Sequence, residues 1–473
     1  MTRRSAGLAV GAALAAALLA APDAFAHGFV GREDLPIPRW LFGWAATAVL
    51  VVSFVALAVL WPKAQLEGAK ERTLVRVPKA LEILPGALGV ALFAIVVWAG
   101  FSGTQSTQAN LAPTFVWVLF WVGVPVLSFF IGDWFRAVNP WRAVGRAGGW
   151  VAKRVAPQSL PEPLAYPDKL GRWPAAVGIV VLAWIELAVP QASRNDPSVL
   201  AWLILAYGAT MLVGMAMYGV EQWTRNADPF AVYFRFVGSM SPLHWEGGTI
   251  RLRKPFTGLT QIRGIPGTVA LLAVLIGSTT FDGLSGNDFW TERALDIADV
   301  LEGLGLSDTR ALTGADTVGL LLTILACAGL FWLGVLGMRT VDQRFTPIEL
   351  ARRFAHSLVP IAFAYVLAHY FSLLAYQGQA AVYLASDPRG RGTDLFGTAT
   401  ETINYEIVGA NGIWYVQVAA LVIGHVAGLV LAHDRALVVF SDVKRATRSQ
   451  YWMLAVMVAF TSLGLWLLSS SNG

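Results

Sequence analysis

An all-α, polytopic membrane helix bundle, about ten transmembrane helices after a cleaved signal peptide, is the fold class that this chain of 473 residues predicts. Three observations lead there. The composition is 56% hydrophobic but only 14% charged, with a mean hydropathy of +0.58, whereas roughly a quarter of a soluble domain is charged. Apolar runs of about 20 residues, the length that crosses a bilayer, recur along nearly the whole chain. The basic residues alternate from loop to loop, dense and then sparse, as they do when consecutive loops lie on opposite sides of a membrane.

The elements follow in chain order. Residues 1–26 carry Arg3 and Arg4, a short apolar stretch and then Ala24-Phe25-Ala26, the pattern of a secretory signal with a small-residue cleavage site. Cleavage after Ala26 makes His27 the first mature residue and leaves 27–39 as an external segment. The membrane domain, 40–473, has apolar runs at 40–61, 81–101, 111–132, 173–189, 199–219, 266–281, 317–338, 354–377, 412–433 and 451–469. The sixth is short and flanked by Gly and Pro.

With the mature N-terminus outside, the cytoplasmic loops hold 26 Lys and Arg and the external segments 7. That split places the chain in the cytoplasmic membrane with both mature termini outside. It also makes the net charge of +5 a topology signal, so nucleic acid is excluded as a partner and the lipid bilayer takes its place. The sole cysteine, Cys327, lies inside an apolar run, which excludes an intrachain disulfide or a thiolate metal cluster.

Among the loops, 133–172 and 220–265 are basic, while 282–313 and 378–411 are external. The acidic 282–313 loop has the periodicity of a short amphipathic helix near 288–304. The two basic loops share the pattern W-x-R-x-x-[N/D]-P-aromatic, 89 residues apart: Trp134, Arg136, Asn139, Pro140 and Trp141, then Trp223, Arg225, Asp228, Pro229 and Phe230. Asn139 and Asp228 suit N-caps, and Pro suits the first helical turn. Trp134, Arg136, Trp223 and Arg225 are expected as interfacial anchors, tryptophans at headgroup level and arginines facing anionic lipid. Beyond the second copy, Trp245-Glu246-Gly247-Gly248 followed by alternation predicts a small hairpin.

Four of the six histidines lie on two consecutive spans: His356 and His369, then His425 and His433. At ~1.5 Å per residue, His369 lies ~12 Å and His425 ~20 Å below the outer ends of their helices. The two could meet inside the protein and hold a divalent transition metal, Zn or Cu. Tyr365, His369, Ser372 and Tyr376 form a polar stripe, which must face other helices or water. Gly424 and Gly428 permit a close neighbour. A haem b between His369 and His425 is a lesser alternative, because the second helix does not repeat the histidine spacing of the first. Structural packing and proton relay are the others.

Other candidates are few. Glu186, near the outer end of the fourth span, is an intramembrane carboxylate and so a catalytic candidate. Asp387, Asp394, Glu401 and Glu406 lie in the loop above the histidine helices, with Asp394 the catalytic candidate among them. Tyr207, Met211, Met215 and Tyr218 form a stripe that reads as core or, as a rival, a soft Cu(I) site. His27, if it is the mature N-terminus, chelates a metal such as Cu(II) through its amine and imidazole.

The stretches from Ala26-His27-Gly28-Phe29 to Pro36, Asp228-Pro229-Phe230-Ala231-Val232-Tyr233, Ser386-Asp387-Pro388-Arg389-Gly390 to Thr398, and Gly424-His425 to Leu437 resemble bacterial, largely actinobacterial, multi-pass proteins called fenitrothion hydrolases. The resemblance covers nearly the whole chain. It implies hydrolysis of an aryl phosphorothioate or phosphate triester and an unlike membrane subunit as partner. Such a reaction suits a metal-activated water, with Glu186 or Asp394 as third ligand or base, and a small apolar substrate. Copper transport or handling and haem electron transfer are the rival functions. No phosphate-binding Gly-rich loop, G-x-S-x-G or H-E-x-x-H motif offers another hydrolytic route.

Overall fold

A computed structural model of the chain describes residues 39–68, 70–78, 83–155, 161–440 and 442–470. The signal segment and His27 lie outside the described residues. In chain order the helices are α1 (Arg39–Leu60), α2 (Ile83–Ser102), α3 (Leu111–Ile131), α4 (Phe135–Val138), α5 (Pro140–Val155), α6 (Trp173–Leu187), α7 (Gln191–Arg194), α8 (Pro197–Tyr218), α9 (Val220–Asn226) and α10 (Pro229–Gly238). They continue as α11 (Thr268–Ser285), α12 (Asp288–Gly303), α13 (Asp308–Arg339), α14 (Pro347–Phe354), α15 (Leu358–Gln377), α16 (Ala380–Ser386), α17 (Ala410–Val439), α18 (Val443–Ser449) and α19 (Tyr451–Ser470).

Among the described residues nine helical segments are long and apolar enough to cross a membrane, and α6 is a shorter apolar helix. The protein is therefore an all-α polytopic bundle in a lipid environment. The expected short sixth span is a regular 18-residue helix, α11, and the most enclosed of all. Its Gly/Pro flanks are explained by Gly267, whose left-handed φ of 79° opens the helix tightly against Trp173. The short apolar helix is instead α6, which ends before Pro190. Large apolar side chains on α1, α2 and α8, such as Val52, Leu88 and Trp202, are exposed. In water that would be costly; in hydrocarbon it is the expected outer surface.

The loops gather as the charge pattern implies. At the basic end, β1 (Arg72–Arg76), β2 (Leu243–Glu246) and β3 (Thr249–Leu252) form a small antiparallel sheet in the order β1-β3-β2. The predicted hairpin is β2-β3, turning on Gly247 and Gly248 at positive φ. Glu71 meets His244 at 2.9 Å beside Arg251 and Arg253, tying the first basic loop to this hairpin. The predicted amphipathic helix of the acidic loop is α12, capped by Asn287 and packed on α13 through Trp290, Ala294 and Ala298.

Helices α15 and α17 share the most extensive helix–helix contact among the described residues. A Cβ added to Gly424 would stand 2.2 Å from the Ala364 Cβ, and one added to Gly428 2.9 Å from the Ser357 carbonyl oxygen. The two glycines do what their spacing predicts, letting the backbones approach. In α3 the hydrogen bonding is π-helical over Thr114–Gly123, and it returns to α-helix next to Pro125, a residue with no N–H to donate.

The two repeat copies meet. Asn139 and Asp228 cap α5 and α10, and the Asn139 amide donates to Asp228 Oδ2 at 3.0 Å. Tyr207 donates to Asp228 Oδ1 at 2.7 Å. Of the expected anchor residues, Trp223 is buried against Gly214 and stacked on Tyr218, while the partly exposed Arg136 joins Arg142 in ion pairs with Glu221. Arg225 offers its carbonyl to Arg235. Trp134 lines an apolar cavity.

Candidate functional site

Four side chains from three helices converge at the end of the bundle opposite the basic loops. Glu186 is the penultimate residue of α6, Asp282 lies in the last turn of α11, and His369 and Tyr370 are consecutive on α15. Neighbours on a helix differ by about 100° in direction, so one residue pair can grip a partner from two sides. Here the partner is Asp282: its Oδ2 lies 2.9 Å from His369 Nε2 and 2.6 Å from the Tyr370 hydroxyl. The same hydroxyl lies 2.9 Å from Glu186 Oε1.

Proton counting limits the states of this chain of groups. A tyrosine hydroxyl has one hydrogen, and an ionised carboxylate only accepts, so one of the two carboxyl groups that Tyr370 bridges carries a proton. When Tyr370 donates to Asp282, its oxygen accepts from a protonated Glu186, and an ionised Asp282 accepts from Tyr370 and from His369 Nε2–H. The result is a continuous line of donors and acceptors from Glu186 through Tyr370 and Asp282 to His369. Arg194, on α7, donates to the Glu186 carbonyl and stands near enough to act electrostatically on Glu186, Asp282 and Asp316. Its charge offsets the buried carboxylate. The His369 and Asp282 side chains keep 25% and 22% of their surface accessible, so the cluster is not sealed.

His369 Nδ1, the ring nitrogen not facing Asp282, lies toward Gly283. Held in this way by a carboxylate, an imidazole has its tautomer and orientation fixed. The arrangement is competent for proton transfer.

A large apolar cavity of about 1160 Å³ abuts the Glu186 end. The π-helical stretch of α3 turns Trp117 and Phe120 into it, opposite Phe93, Trp141 and Phe230. Ile185 and Leu374 also line it, one residue from Glu186 and one turn from Tyr370. The indole N–H groups of Trp117 and Trp134, both of which line this cavity, are buried without an acceptor. An apolar chamber with a few fixed donors is the usual form of a small-molecule site.

The remaining sequence candidates are placed as follows. His425 is fully buried; its Nδ1 bonds the Leu421 carbonyl at 2.7 Å and its ring lies 5.8 Å from that of Tyr365. The two candidate imidazoles thus take different partners, His369 on α11 and His425 on its own helix. Among the described residues no group of three or more His, Cys, Asp or Glu is arranged to hold a metal ion.

The polar stripe divides. Tyr365 donates to the Phe460 carbonyl and Tyr376 to the Val408 carbonyl, while Ser372 is half-buried. Asp394 closes its own loop, accepting from Ser386 Oγ at 2.6 Å and Ala399 N at 3.0 Å, and these bonds hold its carboxyl below the usual range. His356 bonds the Arg353 carbonyl, and His433 bonds the Trp61 carbonyl.

Sequence reasoning missed Asp282 and Tyr370. Asp282 was grouped with the acidic loop, although it closes an apolar run that continues as Gly283-Leu284. Tyr370 sat beside His369 but off the stripe that the helical period marks. No family model, no curated protein and no solved structure matches the chain.

Proposed function

We propose that this membrane protein is a hydrolase of neutral, apolar esters, the aryl phosphotriester and phosphorothioate class that its resemblance implies, with His369 as general base. The observation that carries the reading is the Asp282–His369 contact at 2.9 Å, continued through Tyr370 to Glu186 beside the large cavity. Asp282 orients the imidazole. His369 Nδ1 takes a proton from a water, the hydroxide adds to phosphorus, and the P–O bond to the aryloxide breaks. Tyr370 and Glu186 hold Asp282 from the cavity side, where Trp117 offers its N–H group to the ester's oxygens. A neutral aryl triester partitions into lipid and so has direct access to a chamber walled by apolar side chains. The division of 26 against 7 basic residues supports a cytoplasmic membrane location with this end facing outward.

The test is turnover of 4-nitrophenyl diethyl phosphate and its thiono analogue by the detergent-purified chain. His369→Gln should lower the rate by roughly 10²-fold or more, the scale of a lost general base, with elution volume and thermal unfolding retained. Absence of turnover in the wild type, or an unchanged rate in His369→Gln, removes the proposal.

A further inference from the structure

We propose that a second, buried site between α11, α13, α15, α17 and α19 binds a soft monovalent cation, Cu(I), through His425, Cys327 and the Met457 thioether. The site stands apart from the His369 cluster and does not depend on its function.

The three side chains border one cavity of about 50 Å³. A water needs roughly 10–15 Å³ on this kind of measure, so an ion fits. All three are buried: His425 is 0% exposed, Met457 5% and Cys327 8%. The decisive observation is the His425 ring. Its Nδ1 is committed to the Leu421 carbonyl, which fixes the hydrogen there, and its Nε2 is buried with no hydrogen-bond partner. A bare imidazole lone pair in an apolar wall is costly, and a bound ion removes that cost.

The sulfurs of Cys327 and Met457 border the same cavity as the His425 ring. Tyr365 serves as the reference: its ring is 5.8 Å from that of His425, it lies near Cys327, and its hydroxyl donates to the Phe460 carbonyl, one turn from Met457 on α19. Ligands from three helices therefore surround one cavity. Met453 lies one turn further along α19 with its sulfur against Gly334, two turns of α13 from Cys327, so it borders the cavity without joining the ligand set.

The choice of cation follows from charge and ligand softness. No Asp, Glu, Lys or Arg lines the cavity. A Cu(I) ion with one Cys327 thiolate is neutral, whereas a divalent ion with the same ligands leaves a net positive charge in a hydrocarbon-like interior, where it is expensive. Thiolate, thioether and imidazole are also the donors that select Cu(I). Binding releases the thiol proton to solvent.

The experiment is anaerobic titration of the purified full-length chain with Cu(I) against a chromogenic Cu(I) chelator, with X-ray absorption at the copper edge. The expected result is one tightly held Cu(I) per chain with mixed sulfur and nitrogen ligation. Cys327→Ser, Met457→Leu and His425→Asn should each weaken binding by at least about 10-fold, the scale on which even outer-shell changes act. His27→Ala should leave this ion in place. Wild-type chain that cannot compete with the chelator overturns the proposal. So does copper bound without sulfur, or copper lost in His27→Ala and kept in Cys327→Ser. Because serine and leucine nearly preserve volume, thermal unfolding of these variants separates a lost ligand from a lost fold.

Discussion

Tyr370 holds two carboxyl groups together with one hydroxyl hydrogen, so its replacement is informative beyond activity. In Tyr370→Phe the Glu186 and Asp282 oxygens lose their bridge at 2.9 and 2.6 Å. Leaving such groups unsatisfied costs about 1–3 kcal/mol, and thermal unfolding in detergent should fall accordingly, with the hydrolytic rate reduced alongside. A variant as stable as wild type would mean that the bridge is not made.

A second residue-scale expectation concerns Glu71, outside the membrane spans. Burial raises its pKa, but the hydrogen bond and charge of His244, with Arg253 and Arg251, outweigh burial and bring it below 4.5. A lowered folded-state pKa means stabilisation that is present above the unfolded value and lost as pH falls through the folded one. Amide exchange in β1 should therefore be faster in Glu71→Gln than in wild type at neutral pH, and the difference should vanish well below pH 4.5.

At the scale of elements, helix packing sorts the glycines. Gly424→Ala pushes a methyl into the Ala364 Cβ at 2.2 Å and the Pro360 carbonyl oxygen at 2.9 Å, neither of which can swing away. Overpacking of this kind costs about 1–3 kcal/mol. Gly148→Ala, in the middle of α5 with nothing within 4 Å, should instead stabilise by about 0.5–1 kcal/mol, since alanine loses less backbone entropy there. Differential scanning of the two variants checks both signs.

The G-x-x-x-G spacing at Gly424 and Gly428 was legible because a helix repeats its faces at fixed intervals. The caps of α5 and α10 and the β2-β3 turn were legible for the same kind of reason: each is a local backbone requirement met by a local residue choice. The π-helical stretch of α3 was not, because its altered ladder depends on packing around Pro125 as well as on the proline itself.

At the scale of the whole molecule, the two repeat copies are joined through their caps. Asp228→Ala removes the α10 cap, worth about 1 kcal/mol, and orphans the Tyr207 hydroxyl and the Asn139 amide, at about 1–3 kcal/mol. The expected loss of at least ~2 kcal/mol should appear in chemical or thermal unfolding, with Asp228→Asn less affected because it can still cap. Equal stability of Asp228→Ala and wild type would mean that the copies hold together without this contact.

The same scale explains why the site was only half read from residues. Glu186 and His369 stood out because ionisable groups in apolar runs are rare and expensive. Tyr370 is 184 positions from Glu186 and 88 from Asp282 along the chain, and no periodicity connects such distances.

The residue pattern by itself determined the solvent, the helical class, the alternation of loops and most helix ends, because each depends on hydropathy or backbone chemistry within about one span. Tertiary structure alone decided that His369 turns to Asp282 while His425 borders a small apolar cavity and bonds its own helix at Leu421. A side chain's direction around its helix axis has meaning only relative to the neighbouring helices, and their rotation and tilt are set by packing across the whole bundle.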